Sequence, residues 1–156
     1  MPYSNKKGYF HRGVYEVVNK EKYLGTENPK CRSSWEHRMA YWCDHNSKVV
    51  KWGFECVSIR YHNPLDEKNS VHQYYVDFYV EVIDKHGKLR KFLAEVKPKK
   101  EALPPKKPKR MTQRSAKRFK EEIRTYVRNR QKWDTAVKFC KHRGLEFRII
   151  TEDDLL

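Results

Sequence analysis

Hydrophobic and polar positions follow two rhythms along this chain, and the change of rhythm divides it. In RSSWEHRMAYWCDHN, Trp35, Met39, Trp42 and Cys43 recur at i, i+4, i+7 and i+8, which predicts one buried helical face. Ser33 followed three residues later by Glu36 is the capping-box signature of a helix start. The period then shortens to two. WGFECVSIRYH (52–62), VHQYYVDFYVEVI (71–83) and LRKFLAEVK (89–97) read as strands joined by the turn clusters NPLDEKN and DKHGK, so they should be antiparallel neighbours. In the second strand Val76, Phe78, Val80 and Val82 are expected on one face and Tyr75, Asp77, Tyr79 and Glu81 on the other. In the third, Phe92, Ala94 and Val96 oppose Leu93, Glu95 and Lys97.

Pro98 ends the alternation. A basic, proline-rich loop is expected over 98–114, with no pattern for packing. Helical spacing returns from about Ser115 with Phe119, Ile123, Tyr126, Val127, Trp133, Val137 and Cys140, and Gly144 is a plausible stop. Arg128 to Gln131 is polar all round, which leaves room for one helix or two. LEFRIIT (145–151) reads as a last strand and EDDLL as an exposed acidic end. Residues 1–31, with Tyr9, Phe10, Tyr15, Tyr23 and the patch Val14 to Val18, suggest an irregular arm packed on a single domain spanning 32–156. The predicted class is α/β: a mixed sheet of three antiparallel strands, plus a strand that follows a helix, flanked by helices.

A length of 156 residues suits one domain with a core of its own. The charge changes the picture more. Between Lys97 and Arg143 stand 18 Lys or Arg against four acids, a net +14 of the chain's +15. An excess gathered so closely points to a polyanionic partner, although a solvated, self-repelling face is the plainer alternative. Cys31, Cys43, Cys56 and Cys140 are scattered, with no CxxC pair, and read as reduced thiols. The amino terminus lacks an apolar signal region, and no stretch approaches the roughly 20 apolar residues of a membrane span. A soluble protein in a reducing cytoplasm is expected.

Asp77 and Glu95 carry the candidate chemistry. Each sits mid-strand among apolar neighbours, and adjacent strands lie roughly 4.8 Å apart, so the two carboxylates can converge. Their repulsion would be relieved by a hard divalent cation such as magnesium, which takes oxygen ligands. Lys97 projects beside Glu95, where it can neutralise a phosphate. The same residues also fit a solvent-facing strand with an ordinary ion pair, and capping alone accounts for Glu36. No HExxH, GxxxxGK[ST] or GxSxG motif is present; DHN at 44–46 lacks the partners of a His-Asn nuclease.

Val76-Asp77 and Glu95-Val96-Lys97, with Glu36 on the preceding helix, resemble the PD-(D/E)xK nuclease superfamily; Val76 stands where that motif usually has proline. The element order over about residues 32–151 looks like its restriction-endonuclease-like core. Longer stretches, RSSWEHRMAYWCDHN, HQYYVDFYVEV, EVKPKKE and KWDTAVKFCKHRGLEFRIITEDDL among them, resemble the head completion nucleases of large contractile-tailed bacteriophages. The YYxDF strand and the last stretch are also similar to the endonuclease subunit of cut-and-paste transposons. The resemblance implies a DNA endonuclease dependent on magnesium, with manganese as a substitute. Asp77 and Glu95 would bind metal, the Val96 backbone carbonyl would add a ligand, Glu36 would ligate directly or through water, and Lys97 would be the catalytic lysine. It also implies action on the packaged head before tail attachment, in the host cytoplasm during assembly or retained in the virion head, with head or portal proteins as further partners. The oligomeric state is left open. The basic stretch supplies the grip on the DNA backbone, through Lys99, Lys100, Lys106, Lys107, Lys109, Arg110, Arg114, Lys117, Arg118 and Arg124. Rival readings are a non-catalytic DNA-binding or portal-docking head protein on the same fold, and a transposase endonuclease subunit.

Overall fold

The computed structural model describes residues 13–68 and 70–155, so Tyr9 and Phe10 of the expected arm lie outside the described residues. Two short strands, β1 (Gly13–Val14) and β2 (Lys30–Cys31), pair antiparallel. After them come α1 (Ser34–His45), β3 (Val49–His62), β4 (Val71–Ile83), β5 (Leu89–Val96), a single turn α2 (Lys99–Ala102), α3 (Gln113–Lys141), β6 (Glu146–Ile150) and the short α4 (Glu152–Leu155). The main sheet has the order β3-β4-β5-β6, antiparallel except for the last pair. The return through α3 makes that parallel pairing possible, because two parallel neighbours cannot be joined by a hairpin turn. The β4–β5 reversal is tight: Asp84 Oδ1 accepts from His86 and Lys88, and Gly87 takes φ 77°, a conformation costly for other residues. The expected mixed α/β sheet flanked by helices is therefore what the chain forms.

Each face of the sheet has its own core. Met39, Ala40 and Cys43 of α1 pack with Trp52, Phe78, Val80, Phe92, Ala94 and Val96. Trp133, Ala136 and Cys140 of α3 pack with Ile59, Tyr61, Tyr74, Val76 and Leu93 on the other side. The simple alternation expected for β4 breaks here, because Tyr74 and Val76 lie under α3 whereas Phe78 and Val80 lie under α1. A bulge in β3 explains the crossing. Phe54 pairs with Phe78 and Val57 with Val76, so Glu55 and Cys56 both fall opposite Asp77, and Glu55 adopts φ 50°. An extra residue of this kind bends a strand and sharpens its twist, which carries the row of side chains from one helix to the other.

Other expectations shift in detail. The buried residues of α1 are Glu36, Met39, Ala40, Cys43 and Asp44; Trp35 packs only partly buried against the core and Trp42 is 39% exposed, so the tryptophans sit at the edge of the buried face. Residues 113–141 form one uninterrupted helix despite the polar run, because side chains facing water do not interrupt backbone bonding. Only Asn129, Trp133, Ala136 and Cys140 of α3 are buried. Its first 16 residues project as an arm of about 24 Å, and Ile123 and Val127, which mark its apolar spacing, are exposed. Apolar spacing marks a face; it does not supply the layer that would cover it.

The first described residues are tied down by Asp44, fully buried, which accepts from the Tyr15 hydroxyl at 2.7 Å and from the Val18 and Asn19 amides at 2.8 and 2.9 Å. Residues 22–24 then cap the outer edge of β3 through reciprocal backbone bonds with Trp52. The acidic end is not loose either. Asp154 caps the backbone of Thr151, and Leu155 packs against the α1 core.

Candidate active site

The site forms where the β4–β5 ladder gives out. Register holds from Ile83–Leu89 to Phe78–Ala94 and stops one residue short of Asp77 and Glu95. Beyond that point the Val96 amide donates to Asp77 Oδ2 at 2.9 Å, so a side chain takes the place of a ladder carbonyl. With the β3 bulge on its other flank, Asp77 sits in a notch between two strands that both turn aside. On the far side β6 supports β5, and the Lys97 amide donates to the Ile150 carbonyl at 3.0 Å.

Three carboxylates face this notch and all are nearly sealed: Asp77 8%, Glu95 6% and Glu36 6% exposed. Each is held by at least one protein donor. Glu95 Oε2 accepts the Tyr74 hydroxyl at 2.5 Å, and Glu36 Oε2 accepts the Arg32 amide at 2.8 Å. Glu36 thus makes only half of the expected capping box. Its amide donates to Ser33 Oγ, but its carboxylate turns back one residue further and looks into the site. Lys97 Nζ stands 3.7 Å from Glu95 Oε1, on the face predicted for it.

The electrostatics match this crowding. Burial, then the charges of Glu95 and Glu36, push Asp77 well above the usual carboxylate range, with the Val96 amide and Lys97 opposing. Burial also raises Glu95, against the Tyr74 hydroxyl, Lys97 and Lys132. Cys31, buried beside them, is pushed up to about 12 by burial and then by Glu36 and Asp77, so it stays a neutral thiol.

Among the described residues no trio of His, Cys, Asp or Glu side chains is gathered tightly enough to hold an ion unaided. The donor set nevertheless suits a hard cation. It is all oxygen, and it consists of buried carboxylates whose mutual repulsion a cation would relieve.

Of the residues expected to hold DNA, all ten from Lys99 to Arg124 are exposed. Lys99, Lys100, Lys106, Arg114, Lys117 and Arg118 line one cleft of about 1090 Å³ between the segment after Pro98 and the projecting half of α3. Lys107, Lys109, Arg110 and Arg124 lie outside its lining. Two of the ten are already engaged. Lys99 bonds Glu152 through its amide and Asp153 through Nζ, each at 2.9 Å, and Arg118 pairs with Glu122.

Four residues at the site carry no signal in the motif. Tyr74 orients Glu95, and Lys132 reaches across from α3 to lie over the rings of Tyr61 and Tyr74, 5.6 and 5.4 Å from their centroids. Arg32 and Glu55 pair at the rim. Tyr74 and Lys132 are two apparent strand and helix positions until the bulge and the α3 seat bring them together.

A mixed sheet between helices, with two strand carboxylates, a lysine two residues past the second and a helix glutamate gathered at its open end, defines the restriction-endonuclease-like class of nucleases. Residues 46–152 match the family model described as TnsA-like endonuclease N terminal. The chain is also 37% identical over 148 residues to the Head completion nuclease of Enterobacteria phage T4, covering 93% of each. It belongs to this TnsA-like endonuclease family, and it is a nuclease.

Proposed function

We propose that this protein is a divalent-metal-dependent DNA endonuclease that hydrolyses phosphodiester bonds during phage head completion, with magnesium as its usual ion. The observation that carries this reading is the trio of buried carboxylates beside Lys97 where β4 and β5 part. Asp77, Glu95, Glu36 and the Val96 carbonyl would hold the ion. When bound, it would supply positive charge at the phosphate and a more acidic water as nucleophile.

The chain's own groups do the rest. The Val96 amide holds Asp77 Oδ2, and the Tyr74 hydroxyl and the Lys97 ammonium stand on the two oxygens of Glu95, which orients both carboxylates toward the site. Lys97, on the same face as Glu95, places an ammonium where negative charge builds on the attacked phosphate. The exposed cations along the cleft and α3 grip the backbone without reading sequence. The role in head completion follows from the likeness to the phage T4 protein along 93% of both chains. It would be exercised on packaged heads in the infected host.

Purified protein incubated with plasmid and branched DNA should cut in magnesium or manganese and not in EDTA, and Asp77→Ala and Lys97→Ala should each abolish cutting. If wild type cuts no substrate, or the variants cut as well as wild type, the assignment fails and a DNA-binding head protein remains.

A further inference from the structure

On the side of the notch away from α3, Arg32 is placed as if to meet a ligand. Its amide holds Glu36 Oε2, so its position is fixed relative to the carboxylates. Its side chain is 73% exposed and is engaged by Glu55. Glu55 is the one non-glycine residue with positive φ among those described, and it lies in the bulge opposite Asp77. A left-handed backbone at a glutamate is costly and persists only where its surroundings enforce it, commonly at functional sites. Here it aims a carboxylate at the guanidinium on the rim.

The pair has an unusual setting. Arg32 feels Glu36 and Asp77 as well as Glu55, so it is a cation of the α1 side of the site, as Lys97 and Lys132 are on the β5 and α3 side. A duplex held only by α3 and the cleft would be gripped on one side of the bond being cut. A guanidinium offers a rigid fork that fits phosphate as well as it fits carboxylate, so the contact with Glu55 can be exchanged for a phosphate without rebuilding the side chain.

We propose that Arg32 is a phosphate clamp for the strand being cut, held in position by Glu55 until DNA displaces it. The clamp rests on the nuclease reading above but concerns DNA binding, and it is measurable without cleavage. Glu55 then competes with DNA for the guanidinium. Removing Glu55 should tighten binding, but only while Arg32 is present.

The test measures affinity for a labelled duplex by fluorescence anisotropy in EDTA, in full-length protein carrying Asp77→Asn to silence cutting, across a range of salt. Arg32→Ala should weaken binding about 5- to 10-fold and reduce the salt slope by about one phosphate contact. Arg32→Lys should restore the slope but only part of the affinity, since a point charge replaces the fork. Glu55→Gln should tighten binding in the Arg32 background and leave it unchanged beside Arg32→Ala. Thermal melting should show all variants folded, because Arg32→Ala keeps the amide that holds Glu36. If Arg32→Ala binds with unaltered affinity and slope, or Glu55→Gln tightens binding equally without Arg32, the clamp is overturned while the nuclease reading stands. If the Asp77→Asn parent does not bind DNA, the clamp is overturned, and the nuclease reading is decided by the cleavage assay above.

Discussion

Asp77 is the residue on which the site turns. The motif places it mid-strand, yet its burial and its bond to the Val96 amide arise only because β3 bulges on one side and β5 departs on the other. Its folded pKa is raised, chiefly by burial and then by Glu95 and Glu36. A carboxyl raised above its unfolded value, about 3.9, adds stability that is full below that value and is lost as pH rises through the folded one. The metal-free protein is therefore less stable in base than in acid on account of this group. Asp77→Asn keeps an acceptor for Val96 and removes the charge. In EDTA it should melt higher than wild type at pH 8, with a smaller difference at pH 5, as read by calorimetry. Magnesium should raise the melting point of wild type and leave the variant unmoved.

At the scale of elements, the arm before α1 and the helix α3 are the parts whose form the pattern of the chain foretold least. The arm is held by one carboxylate. Burial acts to raise the pKa of Asp44, but the Val18 amide, the Tyr15 hydroxyl and the Asn19 amide together hold it below the ordinary value. A lowered carboxyl contributes stability above its unfolded pKa and loses it as pH falls through the folded one. Asp44→Ala should cost about 2–4 kcal/mol in denaturant melts at pH 7 and expose residues 13–31 to protease. The gap from wild type should narrow in acid. Nothing in the spacing of apolar residues separates Asp44 from an exposed helix-end aspartate, because its three donors come from residues 25 to 29 positions away. In α3 the periodicity gave the helix and its end near Gly144, but not which turns are covered, since coverage depends on where the sheet stops.

At the scale of the whole molecule, the positive charge sits on one flank of the carboxylates. The cleft and the projecting half of α3 carry most of it, while the acidic α4 ties down Lys99 at one end. Affinity for DNA should therefore fall steeply with salt. Reversing two cleft cations together, Arg114→Glu and Lys117→Glu, should lower affinity strongly. It should also reduce the salt slope by about two contacts, while the melting temperature stays nearly unchanged because both side chains are exposed.

By itself the sequence determined the strands, the helices, the mixed sheet and the chemical types gathered in Asp77, Glu95, Lys97 and Glu36. Period and turn residues are local properties, and the motif needs only a few positions. The tertiary structure decided where the ladder ends, which side of α1 is buried, and that Tyr74, Lys132, Arg32 and Glu55 stand around the carboxylates. These depend on contacts between residues far apart in the chain, and on one extra residue in β3, whose effect on the neighbouring strand no local pattern records.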